Sequence, residues 1–189
     1  VRALVAVMQA PAQRSSDAKQ KTARKRARRD GEDVTGRRAG VSLGMHRSGT
    51  SALTGVLGLA GAGLPANLMP ATPANPRGYF ESQLLYELHE EILAEAGVTW
   101  QDLLPPPPDW FRSGHAARFV DRLCKALREE FGDAPLLVLK DPRMCRLVPL
   151  WARVFQRLAI EPCYVLAVRH PLEVAASLER EHQMDERKA

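Results

Sequence analysis

Cysteine is scarce in this 189-residue chain: it has three, Cys124, Cys145 and Cys163, with no C-x-x-C pair and no metal-ligand spacing. An odd, unpatterned set argues against a disulfide framework and a zinc site, and fits a reducing, cytoplasmic setting. Long apolar runs are also lacking. No stretch approaches the ~20 residues of a membrane-spanning helix, and Val1 to Met8 is too short and too poorly followed for a secretory signal. Aromatic residues make up 6% of the chain, and none interleaves the N-terminal basic run, which therefore offers no platform for stacking bases. There is no internal repeat.

What remains is ordinary globular composition, 45% hydrophobic and 26% charged, at a length suited to one domain. The net charge of +5 is unevenly placed. Residues 1–40 hold eleven Lys and Arg against four Asp and Glu, while residues 41–189 hold sixteen against eighteen. The basicity belongs to the leader. From Gln13 to Gly40 the sequence is polar and without apolar periodicity, so it cannot bury enough surface to offset its ordering entropy. A disordered basic arm is expected over residues 1–39, open to polyanion contact through residues 14–38, with a folded domain over residues 40–189.

Within that domain, apolar periodicity alternates between two patterns. Val41 to Leu43 enters a glycine-containing turn, and Leu53, Val56 and Leu57 follow at helical spacing. Helical patterns recur between Glu81 and Ala96 and again before Phe131, separated by the extended proline run Pro105 to Pro108. Leu136 to Leu139 and Cys163 to Val168 read as buried parallel strands, each followed by a helix, from about Arg146 to Leu158 and from about Pro171 to Glu181. This alternation predicts an α/β fold with a central parallel sheet.

The strongest local signal is Gly44-Met45-His46-Arg47-Ser48-Gly49-Thr50-Ser51, after a strand and opening a helix. Unpaired N–H groups of such a turn and the positive end of the helix together cradle an anion. The spacing is that of a P-loop, but Thr50 stands where the lysine of an ATP-binding loop belongs, and Arg47 inside the loop is the cation. A second signal lies at Arg169 to Ser177: an arginine at the carboxyl end of a parallel strand and a serine two turns into the next helix.

Together these segments resemble the PAPS-dependent sulfotransferases, a P-loop-type family. Asn75-Pro76-Arg77-Gly78-Tyr79-Phe80-Glu81 and Lys140-Asp141-Pro142-Arg143 also resemble segments of its carbohydrate and bacterial-type branches, and the likeness spans about Val41 to Glu181. The resemblance implies a P-loop NTPase-like three-layer fold and sulfuryl transfer from PAPS to an acceptor hydroxyl, on a small molecule or carbohydrate, releasing PAP without a metal. It implies that Arg47, Ser48, Gly49, Thr50 and Ser51 hold the 5'-phosphosulfate, and that Arg169 and Ser177 hold the 3'-phosphate. Family members continue past this second segment, so the expected domain is incomplete at its C-terminus.

Sulfuryl transfer also needs a base. Glu81 is the first candidate and His46, beside the cradle, the second; the rival role for Glu81 is that of an anion in the first turn of a helix. Lys140 and Arg143 are placed to face sulfate or acceptor, the rival being an ion pair with Asp141. Two other functions stand beside the main one. A nucleotide kinase or NTPase would use Asp141 for magnesium, and a non-catalytic truncated domain would act only through its basic arm.

Overall fold

Among the described residues four strands form one sheet, in the order β1, β4, β2, β3. The computed structural model describes residues 4–9, 36–73 and 75–182. Strand β2 (Arg38–Leu43) lies between β3 (Leu136–Lys140) and β4 (Glu161–Val168) and runs parallel to both, while β1 (Leu4–Gln9) pairs antiparallel with β4. The three parallel strands therefore end at one edge of the sheet, where open α/β sheets place their ligands.

The helices are α1 (Thr50–Leu59), α2 (Gln83–Glu95), α3 (Gly114–Phe131), α4 (Met144–Arg157) and α5 (Pro171–His182), with a single 3-10 turn at Trp110–Arg112. Side chains alternate across a strand, so Ala39, Val41, Leu137 and Leu139 share one face of the sheet. They are buried there against Leu85 and Ile92 of α2, Leu123 and Leu127 of α3, and Leu147, Trp151 and Val154 of α4. Each fully buried aliphatic side chain contributes about 1.5–3 kcal/mol relative to exposure. On the other face Leu57 of α1 lies over Gly40 of β2. Serine caps start two of the core helices: Ser82 accepts from Leu85 N–H at 3.0 Å and Ser113 from Ala116 N–H at 3.1 Å. Pro171 opens α5, where its missing N–H costs nothing.

Three expectations are corrected. The arm expected over residues 1–39 gives way at both ends. Leu4–Gln9 is apolar and partly β-branched, and forms an edge strand; at the other end Arg37 donates to the Gly132 carbonyl at 2.7 Å and the Ala134 carbonyl at 3.1 Å, tying the chain to the end of α3 before β2 begins. Most of the basic run, residues 10–35, lies outside the described residues. Second, β4 is mostly half-buried rather than a fully covered strand. Third, of the two residues weighed for an ion pair with Asp141, Arg143 makes it and Lys140 does not: Lys140 pairs with Glu81, because alternation turns its side chain to the α1 face.

Candidate functional site

Gly44 begins the loop because no other residue fits. Its φ is 152°, and a Cβ there would stand 2.7 Å from the Ala167 carbonyl oxygen and 2.9 Å from Thr50 Cγ2. The strand thus turns tightly against β4, with Gly44 N–H donating to Cys145 Sγ at 3.2 Å. Ser48 N–H closes a turn on the Met45 carbonyl at 3.2 Å, Arg47 sits at φ 65°, and Gly49 at φ 89° caps α1. In the first turn of any helix the N–H groups have no intrahelical acceptor. Here those groups belong to Thr50, Ser51 and Ala52, all on the wall of a cavity of about 880 Å³.

The two arginine segments, far apart in the chain, meet beside this loop. Arg47 Nε donates to Ser177 Oγ at 2.9 Å across 130 residues, and Arg169 Nη1 donates to the Arg47 carbonyl at 3.1 Å across 122. Arg169 Nε is held by Glu173 at 2.8 Å, one helical turn on. Both guanidinium-bearing residues line the cavity with His46, Gly49, Thr50 and Ser51. Ser177 and Ser48 are buried and lie behind the wall: Ser177 orients Arg47, and Ser48 belongs to the turn. The His46 ring lies against Trp100, with centroids 4.5 Å apart. Trp100 in turn packs on Val174 and Leu178 of α5, joining the loop to the helix that carries Ser177.

Glu81 enters the cavity from the start of α2. It is buried beside Lys140, whose ammonium donates to the Glu81 carboxylate and, at 3.2 Å, to Ser51 Oγ. Burial, aided by the nearby Asp141 charge, raises the Glu81 pKa above the usual glutamate range, and the Lys140 cation offsets part of this. The carboxyl, the ammonium and the helix-start hydroxyl thus form one continuous polar edge of the cavity.

Next to that edge lies a polar cluster of which the sequence signalled only the Asp141 and Arg143 pair: Arg143 and Tyr86 reach the cavity wall, while Asp141, His89 and Trp151 lie behind it. Asp141 Oδ1 accepts from Arg143 N–H at 2.8 Å and Arg143 Nη1 at 3.1 Å, and Asp141 Oδ2 accepts from His89 Nδ1 at 2.8 Å. His89 Nε2 accepts from Trp151 Nε1–H at 3.0 Å, which assigns the ring proton to Nδ1. Burial alone would push the Asp141 pKa up; His89 and Arg143 outweigh it and hold the carboxyl well below the carboxylate range. Arg143 also pairs with Glu90 and lies over the Tyr86 ring at 4.5 Å. The partners are 52 and 62 residues apart in sequence, so no local spacing announces them. The visible part was Lys140-Asp141-Pro142-Arg143, whose strand-end position fixes it near the cavity.

Asp141 is therefore committed to the protein on both oxygens and contributes no cavity wall. Arg77, Tyr79 and Phe80 also line the cavity. No helix among the described residues is long and apolar enough to cross a membrane. Comparison of the chain with protein-family models, curated proteins and solved structures gave no match.

Proposed function

We propose that this chain is a sulfotransferase domain with a P-loop-like α/β fold, moving a sulfuryl group from PAPS to an acceptor hydroxyl. The observation that carries the reading is the meeting of Arg47 and Arg169 beside a glycine-bounded loop at the start of α1. A nucleotide with anionic groups at both ends calls for a cation at each, and the presence of Arg47 and Arg169 on one cavity wall, from distant segments, supports that reading. PAPS supplies the sulfuryl group when bound.

The chain's own groups then divide the work. Glu81 takes the hydroxyl proton of the acceptor. The acceptor oxygen forms its bond to sulfur as the bond from sulfur to the bridging phosphate oxygen breaks, and the electron pair leaves with PAP. Arg47 and the N–H groups opening α1 bear the negative charge that grows on that phosphate oxygen. Lys140 lowers the Glu81 pKa against the effect of burial and, through Ser51, fixes the carboxylate relative to the loop. His46 packs on Trp100, which favours a part in orienting the loop over one in proton transfer.

A magnesium-dependent kinase or NTPase fits less well. Asp141, its strand-end candidate, would first have to release Arg143 and His89. Calorimetry with adenosine 3',5'-bisphosphate and with ATP, each with and without magnesium, separates the two. Metal-independent preference for the bisphosphate is expected; equal, metal-dependent binding of ATP would overturn the proposal.

A further inference from the structure

The cavity has a second half, and it is apolar. Gly55, Val56 and Leu59 follow one another along a single face of α1, with Leu64, Met69 and Phe80 completing the wall. Val56 is 62% exposed and Leu59 92%, so both present carbon to open space rather than to a core. From Ser51 to Leu59 the helix rises about 12 Å, enough to carry this surface well away from the arginines.

Three features mark the wall as built. Phe80 sits at φ 58°, a strained setting for a bulky residue, which directs its ring onto α1. Gly55 is what lets the ring approach: a Cβ there would come within 3.0 Å of Phe80 Cζ. Gly58, one turn on, does the same for Leu64, whose Cδ1 would lie 2.9 Å from an added Cβ. Glycine within a helix is unfavourable by propensity, so two on one face need a packing reason. Here the reason is a smooth carbon wall leading directly to Glu81, the neighbour of Phe80 in sequence.

We infer that this half of the cavity seats the body of the acceptor, and that the acceptor is a hydrophobic alcohol or phenol rather than a sugar. The name acceptor rests on the sulfuryl-transfer reading; the chemistry of the wall does not. A sugar ring laid on this face of α1 would lose water from several hydroxyls against carbon, and its polar partners would have to come from Asn75, Arg77 and Tyr79 elsewhere on the wall. A body lying along Phe80 has its hydroxyl end at the Glu81 carboxylate. The rival occupant is the purine of the donor.

The test is calorimetry on the full chain with 2-naphthol and cellobiose as probes, before and after saturation with adenosine 3',5'-bisphosphate. Binding of 2-naphthol in both conditions, with no heat from cellobiose, is expected. Val56→Asn and Leu59→Asn, both at exposed positions the fold does not need, should each weaken 2-naphthol about tenfold and leave bisphosphate affinity within about twofold. Displacement of 2-naphthol by the bisphosphate would make the wall a purine seat and overturn the inference. So would tighter binding of cellobiose, or 2-naphthol affinity indifferent to both substitutions. If 2-naphthol binds and responds to Val56→Asn while the bisphosphate does not bind, the apolar seat stands and the donor reading falls.

Discussion

Replacing Lys140 with methionine isolates the interaction on which the cavity's polar edge depends. The substitution keeps most of the side-chain volume but removes the cation from a buried carboxylate, since both Lys140 and Glu81 are almost fully covered. Breaking a buried pair from one side costs about 3–5 kcal/mol when the remaining charge must stay ionised. Glu81 has an alternative, which is to take up a proton. Its folded-state pKa, already above the ordinary value of 4.5, then rises further while the unfolded value stays put. With the native state binding more protons than the unfolded one, stability falls as pH rises, by up to about 1.4 kcal/mol per pH unit. Urea unfolding of Lys140→Met should therefore show a small loss near about pH 5 that grows to about 3 kcal/mol near about pH 8. Adding Glu81→Leu should recover most of the loss and abolish its pH dependence. A pH-independent loss, or strictly additive effects of the two substitutions, would refute the reasoning.

Other predictions bear on separate parts of the site. Gly44→Ala should destabilise the fold by about 2–3 kcal/mol, since the new methyl meets a backbone carbonyl that cannot retreat, whereas Gly49→Ala, with open space around it, should cost about 1 kcal/mol; thermal unfolding measures both. Asp141→Ala leaves Arg143 with Glu90 alone and should cost about 3 kcal/mol in denaturant titrations. Because the Asp141 pKa is depressed in the fold, the gap to the unsubstituted chain should be widest above its ordinary value of 3.8 and close as pH falls through the lower folded value. The acid limb of kcat/KM should lie above the ordinary glutamate value of 4.5, and Glu81→Gln should remove the limb with the activity.

The parallel strands and their helices were legible because each buries one face against a neighbour, which leaves a period in the sequence. Thr50 to Leu59, Gly114 to Phe131 and the strand ending at Lys140 follow that rule, with boundaries shifted by a few residues. The loop was legible through its glycines. At Gly44 the requirement is steric and at Gly49 conformational, so the spacing itself carries the information. Strand β1 was missed because a six-residue apolar run beside a long basic segment reads equally well as part of an arm; only its pairing with β4 decides. The His89, Asp141 and Trp151 cluster was missed for a different reason. Its members are joined by packing of α2 and α4 against the strand end, and side-chain pairing at that range leaves no local trace. Gly55 and Gly58 were also silent, since their role is defined by Phe80 and Leu64, which reach α1 from the following loop.

The central claim, that Arg47 and Arg169 grip one ligand together, is tested most directly by a double-mutant cycle. Binding of adenosine 3',5'-bisphosphate would be measured for the unsubstituted chain, Arg47→Ala, Arg169→Ala and the pair. Each single substitution should weaken binding about tenfold or more, as expected for loss of a charge-assisted contact. The pair should cost less than the sum, because Arg169 also holds the Arg47 carbonyl. Unchanged affinity in either single variant, or full additivity of the two losses, would contradict it.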